Sequence, residues 1–126
     1  MNPAYEPLFT PFSIRNTRIN NRYFMAAMGT VTHNDEDGAY LPDAVDYFVR
    51  RAAGGVGLII TEVCRVDELS GVAQPCQLRA TDMNVGPSFT RMVDRVHAYG
   101  TKMFMQLHHP GNEAFPITLH GNPVIG

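Results

Sequence analysis

Val56-Gly57-Leu58-Ile59-Ile60-Thr61-Glu62-Val63 is a run of apolar and β-branched residues that turns polar only near its C-terminal end. A run without in–out alternation belongs to a strand buried on both faces, as in a parallel sheet. Its flanks agree. On the N-terminal side Pro42 opens a helical pattern with Asp43 in its first turn, both favourable at that end. Val45, Phe48, Val49, Ala52 and Ala53 recur at helical spacing, Arg50-Arg51 lie towards the C-terminal dipole, and Gly54-Gly55 stop the helix. On the other side, a long loop with Gly71, Pro75 and Gly86-Pro87 leads to Ser88. Ser88 is a candidate cap for a second helix that carries Phe89, Met92, Val93, Val96 and Tyr99 and stops at Gly100. Met103 to Leu107 then reads as another short buried strand.

Upstream, Pro11 to Asn21 holds short alternating runs around an Asn-containing turn, the pattern of a small hairpin. Arg22 to Met28 is mostly apolar and has the length of a buried strand. Gly29 to Tyr40 is polar and irregular, and its Asp-Glu-Asp-Gly cluster at Asp35 to Gly38 marks a surface loop. After Gly111, the residues through Pro116, Gly121, Pro123 and Gly126 read as loop. Two successive βα units feeding parallel strands predict an α/β fold with right-handed crossovers. A β-hairpin, about three parallel strands and two helices do not close a barrel, which takes roughly 250 residues. The 126-residue chain is therefore expected to be the first part of a larger protein.

Composition narrows the function classes. With 44% hydrophobic and 17% charged residues, the chain has the makeup of a globular protein. A net charge of -2 gives no electrostatic reason to expect nucleic acid or an anionic membrane as partner. The first residues lack the basic and apolar regions of a signal peptide, and no apolar run approaches the ~20 residues that span a bilayer. Cys64 and Cys76 form no CxxC and no finger spacing, so both are expected as reduced core thiols in a cytoplasmic protein.

Polar groups gathered at the C-terminal ends of apolar strands are where α/β folds build active sites. The first strand offers Ala26, Ala27, Met28, Gly29 and Thr30, the second Glu62, Val63 and Cys64, and the third Gln106, His108 and His109. Small residues that let a flat ligand approach, beside one amide able to donate and accept, suit a heteroaromatic ring with an imide edge. An isoalloxazine fits that description better than a metal or a phosphate. His108-His109 look like a metal pair, but adjacent imidazoles on a strand point to opposite faces and do not readily chelate one ion. No metal site is expected. Glu62 reads either as a general acid or base or as the partner of an arginine such as Arg22.

Leu8-Phe9-Thr10-Pro11-Phe12, Asn21-Arg22, Met25-Ala26-Ala27-Met28, Gly57-Leu58-Ile59-Ile60-Thr61-Glu62 and Gln106-Leu107-His108-His109-Pro110-Gly111 carry a more specific signal. In that order and spacing the chain resembles the N-terminal part of the old yellow enzyme family of FMN-dependent ene-reductases, which includes dienoyl-CoA and enoate reductases. The resemblance implies the N-terminal portion of a single FMN-binding TIM (β/α)8 barrel domain over residues 1–126. It implies that Ala26, Ala27, Met28 and Gly29 run along the flavin, that Val63 touches it, and that Gln106 bonds its pyrimidine edge. NAD(P)H would be the reductant and an α,β-unsaturated carbonyl compound the substrate. Some long relatives also carry an iron–sulfur cluster and a second flavin domain, on which these residues do not bear.

Three positions depart from the pattern. Gly29 stands where many relatives carry Thr, Cys or His, leaving Thr30 as the nearest hydroxyl. Val31 replaces an aromatic substrate contact, and Asn112 replaces an arginine able to pair with a phosphate or carboxylate. The family's substrate-polarising pair and proton donor lie later in its sequence, so the catalytic residues are not named here. The expected function is NAD(P)H-dependent, FMN-dependent reduction of a C=C bond next to a carbonyl, with homo-oligomer formation by the parent protein left open. The alternative is a truncated, non-catalytic fragment without tight FMN binding. A metal-dependent hydrolase using His108 or His109 is a weaker third reading, since the first strand offers no acidic or HxH ligand.

Overall fold

In the computed structural model, residues 2–30, 33–114 and 121–125 are described. The hairpin forms as expected: β1 (Phe12–Ile14) pairs antiparallel with β2 (Thr17–Ile19), around a turn in which Arg15 takes φ 49°. Then come β3 (Phe24–Met25), α1 (Pro42–Ala53), β4 (Leu58–Arg65), β5 (Leu78–Arg79), α2 (Gly86–His97) and β6 (Lys102–His108). Short 3-10 turns at Pro3–Phe9, Met83–Val85 and Gly111–Glu113 lie in stretches whose sequence shows no helical period.

β4 is the centre of a parallel sheet. Leu58 and Ile59 pair with both β3 and β6, and Cys64 and Arg65 pair with both β5 and β6. Since a strand has two edges, β6 runs along one, and β3 and β5 share the other. α1 and α2 cover one face, where Val45, Phe48, Ala52, Met92 and Val96 close over Ile59, Cys64 and Leu78. Phe48, Ile59 and Met92 are completely buried. Burying a side chain of that size contributes about 1.5–3 kcal/mol, so this one layer anchors the unit.

Ile59 and Cys64 both face the helices although they are five positions apart, an odd spacing that a regular strand forbids. A β-bulge resolves this. Ile60 pairs with Phe104 but Val63 with Gln106, so β4 spends one residue more than β6 over the interval. Thr61 and Glu62 are both buried there, and the Thr61 hydroxyl accepts the Gln106 backbone N–H at 3.0 Å.

Several expected boundaries move. The strand read over Arg22 to Met28 pairs only at Phe24–Met25, because Ala26 to Thr30 leave the sheet towards Glu62. β4 begins and ends two residues later than its apolar run. Its start is set by Gly57 N–H donating to Tyr23 O at 3.0 Å and by the hairpin seated beside it. Ser88 does not cap α2; Val85 occupies that position, with Pro87 in the first turn. The Ser88 hydroxyl instead donates to Val85 O at 2.8 Å and accepts Tyr40 N–H at 3.2 Å, tying α2 to the entry of α1. The stretch read as a surface loop over Gly29 to Tyr40 holds an Asn34–Tyr40 bridge and three buried residues, Asn34, Gly38 and Tyr40. Gly38, at φ 76°, lies so near β5 that a Cβ would sit 2.6 Å from Gln77 O. Both cysteines are free; Cys64 is buried as expected, whereas Cys76 is only half-buried.

Candidate active site at the strand ends

The C-terminal end of the sheet gathers the residues singled out by sequence. Val63 and Gln106 are register partners on adjacent strands. By alternation from Ile60 and Phe104, and across the bulge, both fall on the sheet face away from the helices. The Gln106 side-chain amide is exposed and bonds no other described residue, so its donor and acceptor are both available. On the opposite edge of β4, Ala26 to Gly29 follow β3 outside any ladder, with Ala26, Met28 and Gly29 exposed and Ala27 half-buried. Val31 lies outside the described residues.

One side chain fixes that segment. Glu62, only 1% exposed, accepts the Thr30 N–H at 2.8 Å and the Thr30 hydroxyl at 2.5 Å. Arg22 is not its partner; that guanidinium lies 5.0 Å above the Phe12 ring. The Thr30 hydroxyl therefore points to Glu62 rather than standing in for a side chain at Gly29. Behind Glu62, the Tyr40 phenol is buried. Desolvation first, then the Glu62 and Cys64 charges, raise its ionisation far above the ordinary range, while nearby Thr61 pulls the other way without closing a full hydrogen bond. The Cys64 thiol is pushed up to about 11, chiefly by burial.

The two histidines are anchors for the long loop after β4. His109 Nδ1 accepts Gly111 N–H at 3.0 Å, which leaves the proton on Nε2, and that proton reaches Ser70 Oγ at 2.9 Å. Ser70 in turn donates to Asp67 Oδ1 at 2.8 Å. The serine proton thus points to the carboxylate, not to the imidazole, the reverse of an activated nucleophile. His108 Nδ1 faces Gln77 Nε2 at 3.4 Å, and Gln77 also accepts Ala73 N–H at 2.7 Å. Among the described residues no three His, Cys, Asp or Glu side chains are placed to hold a metal ion.

Sequence reasoning missed this loop. Arg65, nearly buried, bonds Glu68 at 2.9 Å and Gln77 O at 3.3 Å, while Glu68 also accepts from Thr81. The Asp67-to-Ser70 spacing was a usable turn signal; the Arg65–Gln77 link, between residues far apart in the chain, gave none. Asn112 is exposed beyond β6. A cleft of about 620 Å³ lies at the other end of the sheet, between the hairpin and the start of β6, away from all of these groups.

Comparison with known proteins decides the family. The family model described as NADH:flavin oxidoreductase / NADH oxidase matches residues 7–121. The chain belongs to this family. It is 44% identical to the NADH oxidase of Thermoanaerobacter brockii over 90% of this chain and 17% of that protein. It is 35% identical to the cinnamate reductase of Clostridium sporogenes over 85% of this chain and 16% of that protein. The old yellow enzyme of Pichia sp. AKU4542 superposes with a TM-score of 0.82 at 26% identity, covering 94% of this chain and 31% of that one. The fold is accordingly the N-terminal portion of an old yellow enzyme TIM barrel, and the chain spans a third or less of the length of these relatives. No described helix is long and apolar enough to cross a membrane.

The residues present suit an FMN. An unpartnered amide beside Val63 offers the donor and acceptor that an imide edge requires, and Ala26, Ala27 and Gly29 put little bulk along the neighbouring edge, Met28 being its one large side chain.

Proposed function

We propose that this chain supplies the first wall of the flavin site in an NAD(P)H-dependent oxidoreductase that reduces the C=C bond of an α,β-unsaturated carbonyl compound. The exposed, unpartnered Gln106 amide, aligned with Val63 on the open face of the sheet, carries the reading. FMN, when bound, supplies the hydride chemistry. The residues here bind and orient: Gln106 by hydrogen bonding, Val63 by apolar contact, and Ala26, Ala27, Met28 and Gly29 by close backbone approach. Family membership and a cinnamate reductase among the relatives support the substrate class.

Gln106→Ala tests the central contact. Losing one or two net hydrogen bonds at about 1 kcal/mol each predicts FMN binding weaker by roughly five- to thirtyfold. Equal affinity in fluorescence titrations would remove Gln106 from the site. A second reading, that the chain alone holds no FMN tightly, draws on the exposed Met105, Leu107 and Phe24. The visible spectrum of the purified chain separates the two: a stoichiometric flavin band favours the first, and a colourless protein the second.

A further inference from the structure

We propose that Glu62 is a positioning residue for the cofactor: through Thr30 it holds the Ala26–Gly29 backbone at the height needed to lie along the flavin. The inference rests on the proposed flavin site and adds to it a residue that does not itself touch the ligand.

Glu62 is placed by the bulge. An extra residue in β4 buries Thr61 and Glu62 in succession, so a carboxylate enters the interior at the point where β3 has just ended. β3 pairs with β4 for only two residues, Phe24 with Leu58 and Met25 with Ile59. Beyond Met25 the sheet no longer holds the segment. The next described link between the two is at Thr30, whose N–H and hydroxyl both donate to Glu62, at 2.8 and 2.5 Å. Ala26 to Gly29 therefore bridge a two-residue ladder and Thr30, where Glu62 takes both donors while the Thr30 carbonyl accepts His33 N–H at 2.8 Å. Such a bridge, with two alanines and a glycine, has little side-chain packing of its own to set its height. A buried carboxylate bonded by both a backbone and a side-chain donor is a strong fixture, because charge-assisted hydrogen bonds are shorter and about twice as strong as neutral ones.

The test uses the full 126-residue chain, first without flavin. Amide exchange is followed by NMR in the wild type, Glu62→Ala, Glu62→Gln and Thr30→Val. Glu62→Ala is expected to speed exchange of the Thr30 amide at least tenfold, with core amides of β4 and α2 changed far less. Glu62→Gln, which keeps an acceptor, restores most of the protection. Thr30→Val keeps the backbone bond and falls between. FMN titration then reads the consequence: Glu62→Ala weakens binding about tenfold, equivalent to 1.4 kcal/mol, and distorts the visible circular dichroism of bound FMN, while Glu62→Gln recovers both. If Glu62→Ala leaves Thr30 exchange unchanged, the pin does not exist. If exchange accelerates but FMN affinity and dichroism stay as in the wild type, the positioning role is overturned. If Glu62→Ala fails to fold, Thr30→Val decides, since unaltered exchange and affinity there overturn the proposal. A wild-type chain that takes up no FMN favours the reading in which the chain alone holds no flavin and overturns the positioning role in this chain, while the exchange data still judge the pin.

Discussion

Two side chains at the strand ends have protonation behaviour that follows from their surroundings. Cys64 is fully buried, and its thiol, pushed up to about 11 mainly by desolvation, stays protonated at neutral pH. Half-buried Cys76 should therefore react with a thiol reagent well before Cys64 in the folded chain, and both should react in denaturant; equal native rates would contradict the burial. Asp67 behaves in the opposite sense. The Ser70 N–H first, then the Ser70 hydroxyl and the Leu69 N–H, hold its carboxyl below the usual range. A carboxyl lowered by folding contributes stability above the unfolded pKa and loses it as pH falls through the folded one. The stability gap between wild type and Asp67→Ala should thus be widest near neutrality and shrink below about pH 4. Urea midpoints measured across that range would show it, and a constant gap would count against it. At this scale Gln106 stood out in the sequence because strand ends concentrate polar groups, whereas Ala26 to Gly29 and Val63 were named as flavin contacts only through the family resemblance. The Glu62–Thr30 pair was not, since nothing in a linear reading pairs positions 32 apart when Arg22 offers a full opposite charge.

Elements were legible where period and punctuation coincide. α1 runs between Pro42 and Ala53 as Pro42 and Gly54 require, and β6 extends its apolar core by one residue at each end. β5 escaped notice because two residues carry no period; its place comes from pairing with Cys64 and Arg65. Gly57 shows how closely the elements meet. A Cβ there would sit 2.5 Å from Asn21 Oδ1, 2.9 Å from Asn21 O and 3.0 Å from Ile19 Cγ2. The same Asn21 donates to Gly55 O at 2.7 Å and accepts Tyr23 N–H at 3.0 Å, so it has little freedom to withdraw. Gly57→Ala is expected to cost about 1–3 kcal/mol. The measurement is a lower urea midpoint with an unchanged slope; an unshifted midpoint would mean the hairpin yields freely.

On the scale of the molecule, the sheet is left open at an edge as well as on a face. Among the described residues no strand pairs the outer edge of β6, and Leu107 and Met105, which alternation puts on the helix-side face of that strand, still stand 63% and 44% exposed. Open apolar edges promote association. The isolated chain is expected to self-associate as concentration rises in sedimentation experiments, and Leu107→Lys should reduce this; monodisperse wild-type protein at high concentration would argue otherwise. The relatives named above are about three to five times as long as this chain. The bulge in β4 also sets what neighbours could arise by descent. Because it reverses the strand's parity between Thr61 and Cys64, losing one residue there would exchange Val63 and Cys64 between faces. A thiol would then look onto the open face and a valine into the helices, a swap no single substitution can make. The width of β4, counted in residues, is thus an inheritable control over the chemistry shown on the open face, separate from the identity of any side chain.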